Sequence, residues 1–233
     1  SLISIDRDEG YWIIMKDTSI TNLCFDDAKP TLSSLKINLN AGNNLISFPS
    51  EGSIAIEDAF SDSIETNTIS VVTERSASIQ LPTGWAGSVT RFNDGKGYWI
   101  RSNADLFFSF DSTKISLLRN ISHTPIVNNF EYNKSARQAF YFFDSIENIK
   151  EGDYILSFNG DKLTGSREWR GSIIDVPVMG YDGNSYSDGY IESGVIPTFK
   201  LFSNGILTLL DGDIAPWSNN GIFMLSNLYQ VIV

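Results

Sequence analysis

The chain has a single cysteine, Cys24, and a single histidine, His123, among 233 residues. One cysteine excludes an intrachain disulfide. One Cys and one His exclude a Cys/His zinc site built within one chain. Cys24 lies between Leu23 and Phe25, where a small, partly buried hydrophobe is expected rather than a nucleophile. His123 sits in Ser122-His123-Thr124-Pro125, which reads as a linker, and no Gly-x-Ser-x-Gly string surrounds a serine. A general base with an orienting carboxylate and a neighbouring nucleophile is therefore not spelled out. Basic residues are also few. Against 28 Asp and Glu stand 17 Lys and Arg, a net charge of −11. Such a surface repels a phosphate backbone, so nucleic acid is not an expected partner. No apolar run approaches the ~20 residues of a spanning helix, and no membrane span is expected. The chain opens at Ser1 without an initiator Met. A processed start, or a piece of something longer, is the expectation.

What is present points to β structure. Hydrophobic residues make up 42% and aromatics 12%, while charged residues are only 19%. Aromatic-rich, charge-poor sequence suits pleated, half-buried strands, and 18 Gly with many Asn and Ser supply turns. The length allows one large or two small domains, each with its own core. The predicted fold class is all-β: a small repeat-like β module followed by an antiparallel β-sandwich.

The string Gly-Tyr-Trp-Ile occurs twice, at Gly10–Ile13 and Gly97–Ile100. Both copies follow an acidic turn, and both lead to a run ending in Phe and Asp. The second copy has a long stretch of β-like sequence before it and the first does not. Residues 1–26 therefore read as the C-terminal remnant of a preceding β module, with strands over Leu2–Ile5, Tyr11–Lys16 and Ile20–Phe25. A short linker ends at Pro30. Residues 34–111 read as one β repeat module. Leu35–Leu39 alternates apolar and polar residues with period 2. Asn40–Asn44 is turn chemistry, and Leu45–Pro49 is the next strand. A short helix is expected over Ser53–Phe60. Strands are expected over Thr68–Thr73, Ser78–Leu81, Trp85–Phe92, Gly97–Arg101 and Leu106–Phe110. Ile115–Leu118 is a further strand in a linker, and 125–233 is the β-sandwich module. In it, Tyr154, Leu156 and Phe158 fall on one strand face and Ile155 and Ser157 on the other. Asn159-Gly160-Asp161 reads as a tight hairpin turn.

The order Leu45-Ile46-Ser47-Phe48-Pro49 then Gly95-Lys96-Gly97-Tyr98-Trp99-Ile100 resembles a repeat of large secreted bacterial surface proteins. That repeat reads Gly-Trp-Asn-Leu-Ile-Ser-x-Pro and later Gly-x-Gly-Tyr-Trp-Ile. Asn43 departs from it, standing where the family often has Trp. The resemblance implies a β-rich spacer or adhesion module without catalysis. Residues 138–202 resemble a second family. Its carriers are Gln138–Phe143, Gly152–Asp161, Gly165–Trp169, Asp175–Gly183 and Gly194–Lys200. That family is a β-sandwich module of marine phage and large algal virus surface proteins and of Bacteroidetes-like extracellular proteins.

Three groups of residues are candidates for a site. Asp182, Asn184 and Asp188 alternate along the Gly-rich stretch Asp182–Gly189, so their oxygens could converge on Ca²⁺. The stretch lacks the Gly and the closing Glu of an EF-hand loop. A long turn whose Asx side chains bond their own backbone is the other reading. Trp85, Trp169 and Trp217 could stack on a sugar or pack internally. Trp85, between glycines, and Trp217, after Pro216, are expected to be exposed. Glu168 and Asp175 are the acids nearest to an acid–base pair, although Arg167 and Arg170 flank Glu168 and point to a surface ion pair.

The expected function is non-enzymatic. The chain reads as a surface-exposed structural or adhesive module of a virion (capsid decoration, tail or fibre) or of a secreted cell-surface protein. Its expected location is extracellular, on a cell or virion surface. Its partners would be other copies or modules of a longer assembly, with a glycan as a ligand. The alternative is a carbohydrate-binding module appended to a larger enzyme.

Overall fold

The computed structural model describes Tyr11 and residues 35–117 and 130–231. Tyr11 apart, the first repeat copy with Trp12, the strands expected before Pro30, Cys24 and His123 lie outside the described residues. The comparison of the two Gly-Tyr-Trp-Ile copies lies outside them too. The fold is all-β, and its residues group into two units.

The first unit begins with β1 (Ile37–Leu39), β2 (Gly42–Ser47) and β3 (Ser53–Ala55). Two single helical turns follow, α1 (Ile56–Ala59) and α2 (Asp62–Glu65). Then come β4 (Thr68–Thr73), β5 (Ser76–Leu81) and β6 (Gly84–Gly87), the last two divided between the units, and β7 (Arg91–Asn93), β8 (Gly97–Ser102) and β9 (Leu106–Phe108). One sheet has the order β2-β8-β4-β5-β6, and the pairs β1-β9 and β3-β7 stand as short ribbons.

Four local expectations change. The turn at Asn40–Asn44 is shorter, because β2 already starts at Gly42; the Asn44 side chain ties the turn at both ends of its amide, accepting from Asn40 N and donating to Asn40 O at 2.8 Å each. The helix over Ser53–Phe60 begins as strand. Ile54 pairs with Phe92 and both are completely buried, and the four-residue turn that follows is too short to hold itself without such packing. The strand over Trp85–Phe92 is broken into β6 and β7, for Gly87 turns at φ 127°. A side chain there would also meet the Ala77 carbonyl oxygen, at 2.3 Å from a Cβ. Over Ile115–Leu118, Ser116 forms only a lone bridge to Ser53 after a 3-10 turn at Ser112–Lys114, and Leu118 lies outside the described residues.

The repeat string now has a physical meaning in its second copy. Tyr98 and Ile100 point inward and are buried, with the Tyr98 ring 4.6 Å from Phe92. The Tyr98 hydroxyl accepts the Asn93 N–H at 2.8 Å. The acidic turn Asn93–Lys96 and Gly-Tyr-Trp-Ile thus belong together: the phenol satisfies a backbone donor that the turn leaves over. Around it Phe48, Phe92, Phe108 and Phe110 meet edge-to-face with centroids about 5 Å apart, a geometry aromatic quadrupoles favour.

The second unit comprises Glu74–Ser78 and Ala86–Ser88 as well as the chain from His123 onward, so it is not one continuous segment. Its strands are β10 (Arg137–Phe143), β11 (Tyr154–Asn159), β12 (Lys162–Glu168), β13 (Ile174–Gly180), β14 (Thr198–Ser203), β15 (Ile206–Asp211), β16 (Ile222–Leu225) and β17 (Tyr229–Val231). Two sheets form, ordered β13-β10-β16 and β12-β11-β14-β15-β17. Pairing between these strands is antiparallel except for β10 with β16, which run parallel, and the isolated bridges Ile146–Leu228 and Gly180–Ile191 are parallel too, a departure from the purely antiparallel expectation. Ala139, Tyr141 and Phe143 from β10, Val176 and Val178 from β13, Ile155 from β11 and Phe199 and Leu201 from β14 enter one apolar core. Ile155, not Tyr154 or Phe158, is therefore the core-facing residue of β11. Gly165 makes a close approach between the two sheets: a Cβ there would lie 1.8 Å from the Pro177 carbonyl oxygen. Ser157 Oγ donates to that same oxygen at 2.9 Å.

Asp175 sits within this unit and is completely buried. Its Oδ1 accepts from Ser88 N at 2.7 Å. Its Oδ2 accepts from Ala77 N and Ser88 Oγ, both at 3.0 Å, and from Arg167 Nη2 at 2.9 Å. Arg167 completes the junction by donating to the Asp175 and Arg75 carbonyl oxygens. Burial pushes the Asp175 carboxyl up; Arg167 and the donors of Ser88 and Ala77 pull it back. A buried pair adds little over an apolar replacement, but stripping one partner leaves an uncompensated charge. Asp175→Asn is expected to cost about 3–5 kcal/mol, read from urea unfolding of the full chain. Adding Arg167→Met should restore part of that loss. Equal stability of Asp175→Asn and wild type would mean that the pair holds nothing.

Candidate functional site

The three tryptophans are not brought together. Trp85, in the first unit, is half-buried; its ring lies 5.9 Å from Phe60 and its Nε1 donates to Glu65 Oε1 at 2.7 Å. Trp169 and Trp217 are both members of the second unit's core. Trp217, expected to be exposed after Pro216, is 2% exposed, and its Nε1 donates to Val178 O at 3.0 Å. An indole with a carbonyl for its N–H buries a large apolar surface without leaving a polar atom unpaired, which is why the core takes it. Neither core tryptophan offers a ring face to a ligand. Proline before it was a poor guide, since it reports backbone shape rather than burial.

Asp182, Asn184 and Asp188 fall in a tight turn between β13 and β14. The Asp182 carboxylate is its hub. Oδ1 accepts from Asn184 N and Nδ2 at 3.1 Å each and from Ser187 Oγ at 2.7 Å. Oδ2 accepts from Ala136 N at 3.0 Å and Tyr186 hydroxyl at 2.7 Å. Asp188 is exposed, and its N–H donates to Ser185 O at 3.3 Å. A cation on Asp182 would have to displace these donors. No group of three or more His, Cys, Asp or Glu that could hold a metal occurs among the described residues. No helix among them is long and apolar enough to cross a membrane.

Nor do Glu168 and Asp175 share a cleft as two free acids. Glu168 lies 3.6 Å from Arg170 on a largely exposed pair, and Asp175 is enclosed by the donors described above.

The second unit does contain a cleft that the sequence did not signal, with a volume of about 840 Å³. Ligand sites of small molecules run to several hundred Å³. Arg75, Phe130, Tyr132, Lys162, Ser166 and Tyr190 are among its walls. Three contacts shape it. The Arg75 guanidinium lies 4.7 Å over the Tyr132 ring, and its Nη2 donates to Tyr132 O at 2.8 Å. Lys162 Nζ lies 5.7 Å over the Tyr190 ring. The Tyr190 hydroxyl donates to Asn133 O at 2.9 Å. Burial pushes both the Tyr132 and Tyr190 phenols up, so they stay neutral at physiological pH. Of the acids in its walls, Glu74 is paired with Lys134 at 2.8 Å and Glu131 is exposed.

Arg75 stands out in its backbone too. Five non-glycine residues have positive φ among those described; four are asparagine and the fifth is Arg75, at 63°. Asparagine tolerates this left-handed region, whereas arginine takes it at a cost. The hint available in sequence was Thr73-Glu74-Arg75-Ser76, a two-residue turn between strands with neither Gly nor Asn.

For Asp182, burial alone would raise the carboxyl, but the donors of Ala136, Ser187, Tyr186 and Asn184 outweigh it and hold the group well below the usual carboxylate range. The folded value thus lies below the unfolded one of about 4. The stabilisation is complete above that unfolded value and drains as the pH falls toward the folded one. Asp182→Asn is expected to cost about 1–3 kcal/mol at neutral pH and to flatten the melting temperature against pH below about 4. An unchanged acid slope in the variant would refute the role. No family model matches this chain, and neither a curated protein nor a solved structure does.

Proposed function

We propose that the chain is a non-enzymatic, surface-exposed module of a virion or of a secreted cell-surface protein, and that it acts by holding on to a partner. One observation carries the reading. A polar cleft of the second unit is walled by held rings and cations, and of the acids near it only the exposed Glu131 is left without an ion pair among the described residues. Asp175 is consumed by Ser88, Ala77 and Arg167, and Glu74 by Lys134. Such a site can grip a polar ligand, and among the described residues Glu131 alone is a free acid in its walls, where glycoside cleavage needs two. The resemblance of residues 35–110 and 138–202 to modules of surface proteins supports the same reading. So does the core fed by two sheets, which suits a β-sandwich with function on its loops. Other copies or modules of a longer assembly would be its neighbours, outside the cell.

The second reading is a carbohydrate-binding module appended to an enzyme. The aromatic and hydrogen-bonding walls of the cleft favour it, because they suit a glycan as well as any protein partner. The full chain is expected to bind members of a glycan array while releasing no reducing sugar from a polysaccharide panel over a day. Turnover abolished by Glu168→Gln would overturn the non-enzymatic reading. Absence of binding to every glycan would remove the carbohydrate reading and leave protein partners as the object of adhesion.

A further inference from the structure

We propose that the cleft of the second unit is a subsite for a carboxylate-bearing sugar, a uronate, with Arg75 and Ser166 as its recognition pair. The inference rests on the adhesive reading above and names the ligand class of the same cleft.

The first support is an imbalance of donors. Arg75 Nε and Ser166 Oγ are both buried and without a hydrogen-bond partner among the described residues, and both residues line the cleft. Ser166 is only 5% exposed. Buried polar groups are nearly always paired, so two orphans on one cavity call for a partner from outside. Nε–H can only donate, and it needs an acceptor oxygen.

The second support is the fixing of Arg75. Its ring stack and its bond to Tyr132 O hold the guanidinium before any ligand arrives, which lowers the ordering cost of binding. Its strained backbone angle sits where Asn or Gly would suit the turn better. Strain of this kind collects at ligand sites.

The third support is charge. The cations on the cleft are Arg75, Lys162 and Arg167, and the acids are Glu74 and Glu131. Arg167 is spent on Asp175 and Glu74 on Lys134. Arg75 and Lys162 then face the exposed Glu131, a small positive excess in a chain of net charge −11. One carboxylate fits that excess; a polyphosphate would meet the surrounding acidic surface. A planar carboxylate also matches the guanidinium edge. The half-buried Phe130, 5.5 Å from Tyr154 and 5.0 Å from Phe202, adds an apolar wall for the C–H face of a pyranose ring.

The test is calorimetric titration of the full chain with glucuronate, galacturonate, their methyl esters, glucose and inorganic phosphate at two salt concentrations. A uronate is expected to bind about tenfold or more tightly than its methyl ester, which lacks the charge. Ser166→Ala should weaken the uronate about fivefold while keeping or raising the melting temperature, since it deletes a buried hydroxyl that has no partner among the described residues. Arg75→Asn keeps a residue suited to the turn and should weaken binding about tenfold or more. Equal binding of uronate and ester, unchanged affinity in both variants, or competition by phosphate at equal affinity would overturn the assignment. So would a clear loss of melting temperature in Ser166→Ala, because the hydroxyl would then be bonded within the protein. Glycan-array binding that persists in Arg75→Asn would leave the adhesive reading standing and remove this subsite alone.

Discussion

A carboxylate with no exposure must find its donors or lose its charge, and Asp175 imposes that constraint on the second unit. The donors come from Ala77, Ser88 and Arg167, residues far apart in sequence. Holding Asp175 therefore holds Glu74–Ser78 and Ala86–Ser88 in place, and with them the turn that presents Arg75. Arg167 is the other half of the arrangement. Its ion pair with Asp175 and its bonds to the backbone carbonyls of Asp175 and Arg75 tie it to the protein. The cleft's usable cations are set by what the structural pair does not consume.

The two units solve the problem of covering a β core in different ways. In the first, short strands and two single helical turns gather around a cluster of phenylalanines, with Tyr98 stitching the preceding turn. In the second, longer strands feed Tyr141, Phe143 and Phe199 into one core, and polar residues are admitted where the sheets approach closest. Ser157 against Pro177 and the bare Cα of Gly165 mark that approach. Tryptophan follows the same rule. Trp169 and Trp217 serve the core because burial rewards their area, and the Trp217 indole N–H has the Val178 carbonyl.

The loop at Asp182–Gly189 illustrates how one composition serves two chemistries. Oxygen-rich side chains with glycines are what a calcium loop needs. They are also what a self-bonded turn needs, and here Asn184, Tyr186 and Ser187 aim donors at the Asp182 carboxylate. Whether the oxygens point at a cation or at backbone and hydroxyl donors is a matter of conformation, not of content.

Much of the fold was legible from local chemistry. Short runs bounded by Gly, Asn or Asp located β4 and β8, period-2 alternation marked β1 and β11, and Asn159-Gly160-Asp161 placed the β11–β12 hairpin, because strand pleating and turn preferences act over a few residues. Helix against strand at Ser53–Ala55 was not legible: the pairing of Ile54 with Phe92 overrode the local pattern. Neither was the parallel pairing of β10 and β16, which involves residues about 80 positions apart. The candidate cleft was the least legible part. Its residues, Arg75, Tyr132, Ser166 and Tyr190, are unremarkable one by one and carry no motif spacing. Sequence by itself determined an acidic, all-β chain without an intrachain disulfide, since charge, cysteine count and strand patterning are additive properties of residues. Only the tertiary structure decided which tryptophans are buried, which acid is enclosed and which arginine keeps a free N–H, because those outcomes depend on long-range partners competing for the same donors and the same space.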